Sequence, residues 1–291
     1  MFKTAHPLIF SFDVEWIPDP LAAARLFGCP IRTPGEREQA IHRLWEHGGA
    51  SEENPQPYLK TVLCRVVTLA GILREKKQGV QGPSLRMISL PLRCDTPWED
   101  QEKSILQGFF ESVGSKKPQL VGYNSAEADV PILVQRAIVN GLSCPGFARR
   151  PDKPWEGVDY FSTHGDHSVD LAPILGRFRQ MPSLNEVARL SGIPGKIDTH
   201  GGGVAELWLQ GRLEEILAYN ECDALTTHLV WARMAHFGGF LSAAEYEAEQ
   251  VAVRELIREL VANGKPTLQR FLDEWDRLEA IQPGEADSSA S

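Results

Sequence analysis

Three short apolar runs lie within the first 92 residues, and beyond residue 98 the spacing of apolar positions changes from two to between three and four. That change constrains the fold most, because period two belongs to strands and period 3.6 to helices. Residues 7–14 (PLIFSFDV), 62–73 (VLCRVVTLAGIL) and 85–92 (LRMISLPL) read as strands, with turn-rich KKQGVQGP joining the last two in an antiparallel meander. The spacing then predicts a helix over 98–113, acidic in its first turn, and a short strand over 119–123. A helix over 129–140 has Pro131 in its first turn, and 168–172 is extended. Ser183 and Glu186 form a capping box for a helix over 183–190, and further helices follow near 204–210 and over 212–236. Strands first and alternating elements afterwards imply an α/β fold, a mixed five-stranded sheet flanked by helices.

Two segments stand apart. Residues 18–58 hold six prolines around one helix, 35–47, and read as an insertion within a domain spanning 1–240. Residues 241–280 read as a C-terminal appendage of two charged helices broken at NGKPT, a candidate surface for a homodimer or a protein partner. The polar tail 281–291 is expected to be disordered. Five cysteines, an odd number with no CxxC pair, disfavour a disulfide framework or a zinc ribbon and fit a reducing compartment. No stretch reaches the roughly 18 apolar residues of a membrane span, so a cytoplasmic protein without membrane contact is expected.

The chemistry concentrates in three places. Asp13 and Glu15 are two apart on the first strand, so both carboxylates point to one face. Hard oxygen ligands in that arrangement suit Mg²⁺ or Mn²⁺. Asp129 follows a strand and turn in GYNSAEADVPIL, and Tyr219 and Asp223 lie one turn apart on the long helix in YNECDALTTHLVWAR. Each has an ordinary alternative: solvated acids at a strand end, a helix cap, or a core tyrosine beside a solvated aspartate.

Their order and spacing together resemble one superfamily. FDVEWIPD, GYNSAEADVPIL and YNECDALTTHLVWAR are similar to the three motifs of the DEDD-type 3′–5′ exonucleases, which have the ribonuclease H-like fold. More narrowly, the chain resembles the bacterial family related to the proofreading exonuclease domain of family B DNA polymerases. Pro18-Asp19, the run SLNEVARLSGIPGK, and Trp208 with Gly211 support the likeness, which covers about residues 7–236. The resemblance implies that Asp13, Glu15, Asp129 and Asp223 hold two divalent cations, Mg²⁺ or Mn²⁺, with Asp13 bridging them. It implies that Tyr219 positions the attacking water, the tyrosine subtype, since Ala218 stands where the histidine subtype has its histidine. The implied reaction releases nucleoside 5′-monophosphates from 3′ ends of single-stranded DNA, or less favoured RNA, and DNA repair is an implied setting. Asn124 of the second motif is kept as a substrate contact, but Ala128 replaces the aromatic that usually precedes the aspartate. A ribonuclease of the same superfamily and a catalytically idle nucleic-acid-binding or partner-docking module remain the alternatives.

Other signals carry less. His164-Gly165-Asp166-His167 lacks a supporting ligand and reads as loop, and Gly201-Gly202-Gly203 lacks the lysine and hydroxyl of a phosphate loop. Asp170 and Asp198 read as solvated or capping acids. Lys116, Lys117, Arg136, Arg149, Arg150, Lys153, Arg177, Arg179 and Lys196 are candidates for strand contact. With 30 basic against 39 acidic residues the net charge is −9, which argues against simple coating of nucleic acid. Residues 241–291, however, hold 11 acidic and 5 basic side chains, leaving −3 for residues 1–240. If four of the remaining carboxylates bind metal, the domain no longer repels a polyanion, and binding without divalent metal should be weak.

Overall fold

The computed structural model of the protein describes residues 2–77, 79, 82–153, 155–162, 165–176, 180–197 and 203–281. Within these lie β1 (Leu8–Pro18), α1 (Pro20–Phe27), α2 (Pro34–His47), β2 (Cys64–Glu75), β3 (Ser84–Leu90), α3 (Trp98–Lys116) and β4 (Gln119–Gly122). They continue with α4 (Asp129–Val139), α5 (Pro145–Ala148), β5 (Ser168–Asp170), α6 (Ala172–Leu175), α7 (Leu184–Leu190) and α8 (Val204–Leu209). Three long helices close the fold: α9 (Leu213–Phe237), α10 (Ala243–Ala262) and α11 (Gln269–Glu279). The expected tail, together with Asp198, Arg177, Arg179, His164 and Gly201-Gly202, lies outside the described residues.

The five strands form one mixed sheet in the order β3-β2-β1-β4-β5. β1 pairs antiparallel with β2 and parallel with β4, and β5 continues the parallel side. The meander and the mixed character follow the reading of the sequence. β1 runs four residues further than the expected strand, so Asp13 and Glu15 sit within it rather than at its end. Trp16, Ile17 and Pro18 remain paired to β2 after a register slip between Glu15 and Trp16, which lets the strand continue past its acidic pair. Gly71 of β2 faces the Phe10 ring and the Ser11 carbonyl so closely that a β-carbon there would collide with both.

Period two divides β1 between two cores. Phe10, Phe12 and Val14 enter one with Ile105, Leu106 and Phe109 of α3 and Ile132 and Leu133 of α4. Ile9 enters the other with Leu225, Leu229 and Trp231 of α9. Two helices, not one, occupy residues 18–58. α1 hid behind its prolines: Asp19 caps it by accepting from the Leu21 amide at 3.0 Å, and Pro20 occupies its first turn. Ala23 of α1 and Ala40, Ile41, Leu44 and Trp45 of α2 pack into the first core.

The C-terminal helices cover the second face. α10 buries Glu249, Val253, Leu256 and Ile257, and α11 buries Phe271, Leu272 and Trp275, both at helical spacing. Glu249 is the exception among these apolar residues. Arg74 of β2 donates to both its oxygens at 2.9 Å, and His228 Nε2 lies 3.1 Å from Oε1. His228 Nδ1 is in turn 3.1 Å from the Ser11 hydroxyl of β1. A buried polar chain thus ties α10, α9, β2 and β1 together two residues from Asp13. Burial alone would raise the Glu249 pKa, but bonds and charge from His228 and Arg74 hold it below the usual carboxylate range.

Removing one partner of such a chain strands the others without water. Glu249→Ala is therefore expected to cost about 3–5 kcal/mol of unfolding free energy at pH 7, measured by urea denaturation. Because the folded pKa is depressed, this stabilisation is present above the unfolded value of about 4.3 and is lost as pH falls through the folded value. The gap between wild type and variant should accordingly narrow below about pH 4.

Candidate active site

β4 pairs with β1 only over Ile9–Ser11, so the carboxyl end of β1 projects beyond its parallel neighbour. An open crevice at the carboxyl ends of parallel strands is the usual ligand position of an α/β sheet. Asp13 and Glu15 stand on that projecting segment, pointing to the face that α9 covers. Asp223 of α9 completes a group of three carboxylates whose ligand atoms lie within 4.8 Å of one another. Residues 13 and 223 are far apart in sequence, and the packing of α9 on β1 brings them together.

Asp129 is the buried first residue of α4, and the nearby Val14 amide of the same strand favours its charged form. Its charge reaches Asp13 and Glu15. The turn that carries it is held by Asp170 at the end of β5. One Asp170 oxygen accepts from the Asn124 amide at 2.7 Å and from Ala172 at 3.1 Å, and the other from Ala126 at 3.0 Å. Asp170 is a capping acid, as expected. Asn124 takes a left-handed backbone with φ of 60°, which asparagine tolerates, and lines the cleft. Ala128 is buried beside Asp129, in the position where the resemblance led one to look for an aromatic.

Two further residues belong to this centre, one of them not singled out from the sequence. Asn220 is fully buried on α9, and its amide donates to Asp13 Oδ2 at 2.6 Å. Its position between Tyr219 and Asp223 was the available signal. Lys196, named among the candidates for strand contact, places its ammonium over the Tyr219 ring, 5.6 Å from the centroid, and lowers the pKa of both Glu15 and Asp223. The run SLNEVARLSGIPGK explains its placement. Asn185 of the capped helix α7 accepts from the Lys196 amide at 2.9 Å, and a side chain at Gly195 would occupy that oxygen's place. Arg136 is corrected in the other direction: it is buried between Asp19 and Glu102, at 2.7 Å from each, and is not a strand contact.

Tyr219 is half-buried, and its hydroxyl is close enough to favour the charged form of Asp223. Burial and the neighbouring carboxylates push the phenol pKa above its usual value, so it stays protonated as a donor. The carboxylates open only onto the cleft, and desolvation raises all four. Glu15 is pushed up to about 8, with Asp223 and Asp129 adding repulsion. Asp129 rises to about 7 and Asp223 to about 6, and Asp13 is raised well above its usual range by burial and by its three acidic neighbours. Four desolvated acids with one nearby lysine form a donor set that suits hard divalent cations.

The linkage to stability has a definite sign. These groups bind protons more tightly in the folded chain than at the unfolded values of about 4, so metal-free stability should fall as pH rises from about 4 to about 8. Asp13→Asn removes one repelling charge while leaving an oxygen for Asn220. In EDTA at pH 8 its melting temperature is expected above that of wild type, by about 2–4 °C for each kcal/mol relieved. A melting temperature below wild type would contradict the repulsion. Thermal melts across that pH range make both measurements.

Comparison with known proteins points the same way. Residues 56–275 match the profile of a family described as a predicted 3′–5′ exonuclease related to the exonuclease domain of PolB. The match takes in Asp129, Lys196, Tyr219 and Asp223 and begins downstream of β1. DNA polymerase 2 of Aeropyrum pernix is 31% identical over 149 residues, which is 48% of this chain and 18% of that polymerase. The chain thus spans less than a fifth of the length of this relative. No helix among the described residues is long and apolar enough to cross a membrane.

Proposed function

We infer, for a chain that belongs to the family of predicted 3′–5′ exonucleases related to the exonuclease domain of PolB, that it hydrolyses phosphodiester bonds at 3′ ends of single-stranded nucleic acid. DNA is the favoured substrate, in line with the likeness to a DNA polymerase, and nucleoside 5′-monophosphates are the products. The observation that carries this reading is the convergence of Asp13, Glu15 and Asp223 within 4.8 Å, with the charge of buried Asp129 close enough to act on the first two.

Asp13, Glu15, Asp223 and Asp129 would hold two divalent cations, Mg²⁺ or Mn²⁺. Bound there, such ions supply positive charge for the attacking and leaving oxygens and lower the pKa of a coordinated water. The remaining work falls to the chain itself. Asn220 fixes the Asp13 carboxylate, so its oxygens are oriented before a cation arrives. Tyr219, kept protonated, orients the attacking water and is too weak an acid to serve as its base. Lys196 offsets part of the acidic field and draws the scissile phosphate toward the carboxylates. Asp170 keeps the Asn124–Ala126 turn closed, so that Asp129 and Asn124 meet the cleft together.

Time courses on matched 5′-labelled DNA and RNA oligonucleotides in Mg²⁺ or Mn²⁺ test the reading. The expected pattern is stepwise shortening from the 3′ end that stops with EDTA, faster on DNA. Asp13→Ala and Asp223→Ala should lower kcat/KM by at least about 10³-fold, and Tyr219→Phe by about 10²-fold. Faster loss of RNA would favour a ribonuclease of the same superfamily. Equal cleavage by wild type and Asp13→Ala would remove the site assignment, and binding without cleavage would favour the idle module.

A further inference from the structure

The cleft extends well past its acidic centre. It encloses about 1490 Å³, more than the roughly 300–1,000 Å³ of a small-molecule site. From the carboxylates it continues along β3 and α9 to residues 264–267, which join α10 to α11, and to Arg270 in the first turn of α11. There its lining changes. Met87, Pro91 and Leu92 offer apolar surface, with Leu92 85% exposed. Lys265 and Arg270 add positive charge, and among the cleft's described cations these two stand apart from Lys196 at the acidic centre.

Lys265 is held in place. Its ammonium contacts the Glu221 carboxylate and lies 3.2 Å from the Ser89 hydroxyl. Glu221 is buried on α9 only two residues before Asp223, so the C-terminal connector is fastened to the helix that carries the acidic centre. Glu214 and Glu215 also line the cleft, and Arg212 pairs with Glu215.

We propose that this arm is the track for the single strand 5′ of the terminal nucleotide, with Lys265 and Arg270 on its phosphates and Leu92 and Met87 against its bases. The proposal rests on the exonuclease reading above and adds to it a substrate-gripping role for the link between the last two helices. A sequence-tolerant single-strand site needs local cations for the backbone and apolar surface for the bases, and the arm supplies both. The excess volume accommodates more than the one nucleotide that the carboxylates would hold.

Fluorescence anisotropy of a labelled thymidine decanucleotide, in Ca²⁺ and over a salt series, tests the track without turnover. Arg270→Ala is expected to weaken binding about tenfold and to reduce the salt slope by about 0.7, the value for one lost contact with a single strand. Lys265→Met combined with Glu221→Gln removes the other cation without leaving its carboxylate unpaired, and carries the same expectation. Arg258→Ala, an exposed charge on α10 that does not line the cleft, should bind as wild type and controls for lost net charge. Wild-type affinity and slope in both cleft variants would overturn the track, and so would an equal loss in Arg258→Ala. Hydrolysis of p-nitrophenyl thymidine 5′-monophosphate by wild type in Mn²⁺ reads the reaction centre separately. Its absence would count against the exonuclease reading, while the anisotropy series alone decides the track.

Discussion

Repulsion among four desolvated carboxylates is the constraint around which the rest of this protein is arranged. Left to themselves, Asp13, Glu15, Asp129 and Asp223 would move apart or become protonated: burial raises the pKa of all four, and acidic neighbours add to it at Asp13 and Glu15. They stay together because each belongs to an element that cannot yield independently. β1 is held on one edge by β2 along its length and on the other by β4, and the turn that carries Asp129 is held by Asp170 of β5. α9 is clamped by the second core, in which Trp231, Leu225 and Leu229 are buried. The apolar contacts thus supply the force that keeps like charges adjacent, as expected where a site trades stability for function.

Two buried polar chains refine that clamp. Ser11, His228, Glu249 and Arg74 link the strand and helix of the acidic centre to α10, while Arg136 joins Asp19 and Glu102 across the first core. Both chains have their members bonded on more than one side, which is what makes ionised groups tolerable away from water. A polar bond has a direction that an apolar contact lacks. The Ser11–His228 pair adds one such directed contact between β1 and α9, the two elements that carry Asp13 and Asp223.

Much of this was legible in the sequence where the signal was local. The switch in apolar period located all five strands and most helices, and the capping box at Ser183 and Glu186 is present. The carboxylates on β1 and the Tyr219–Asp223 pair each had an ordinary alternative by spacing, and it was their order together, in the resemblance to the exonuclease motifs, that singled them out. What escaped was either masked or non-local. α1 sits between prolines that read as loop, although Pro20 in a first turn favours a helix. Asn220 was visible only as a neighbour of Tyr219, because its role depends on a strand more than 200 residues away. Lys196 resembled any other lysine until α7 and Gly195 were seen to aim its segment into the cleft. Arg136 shows the reverse error: a cation on a helix surface pattern that in three dimensions faces Glu102 and Asp19.

The net charge of −9 looks different once it is distributed over the fold. The C-terminal helices carry many acids, yet Arg254 meets Asp276 and Glu279, and Arg277 meets Glu274, so part of that charge is neutralised at their own surfaces. The connector between the same helices turns Lys265 and Arg270 toward the cleft. A polyanion responds to the field at the cleft rather than to the molecular total, and salt screens charges beyond about 8–10 Å. Within that distance Lys265 and Arg270 share the entrance with Glu214, Glu215 and Glu221, and the far end is a group of acids awaiting divalent metal. Lys265 and Arg270 would offer a phosphodiester chain individual contacts there, while the bare acids repel its end. Loading of metal would then reverse the local sign at the reaction centre alone, making productive binding conditional on the cation.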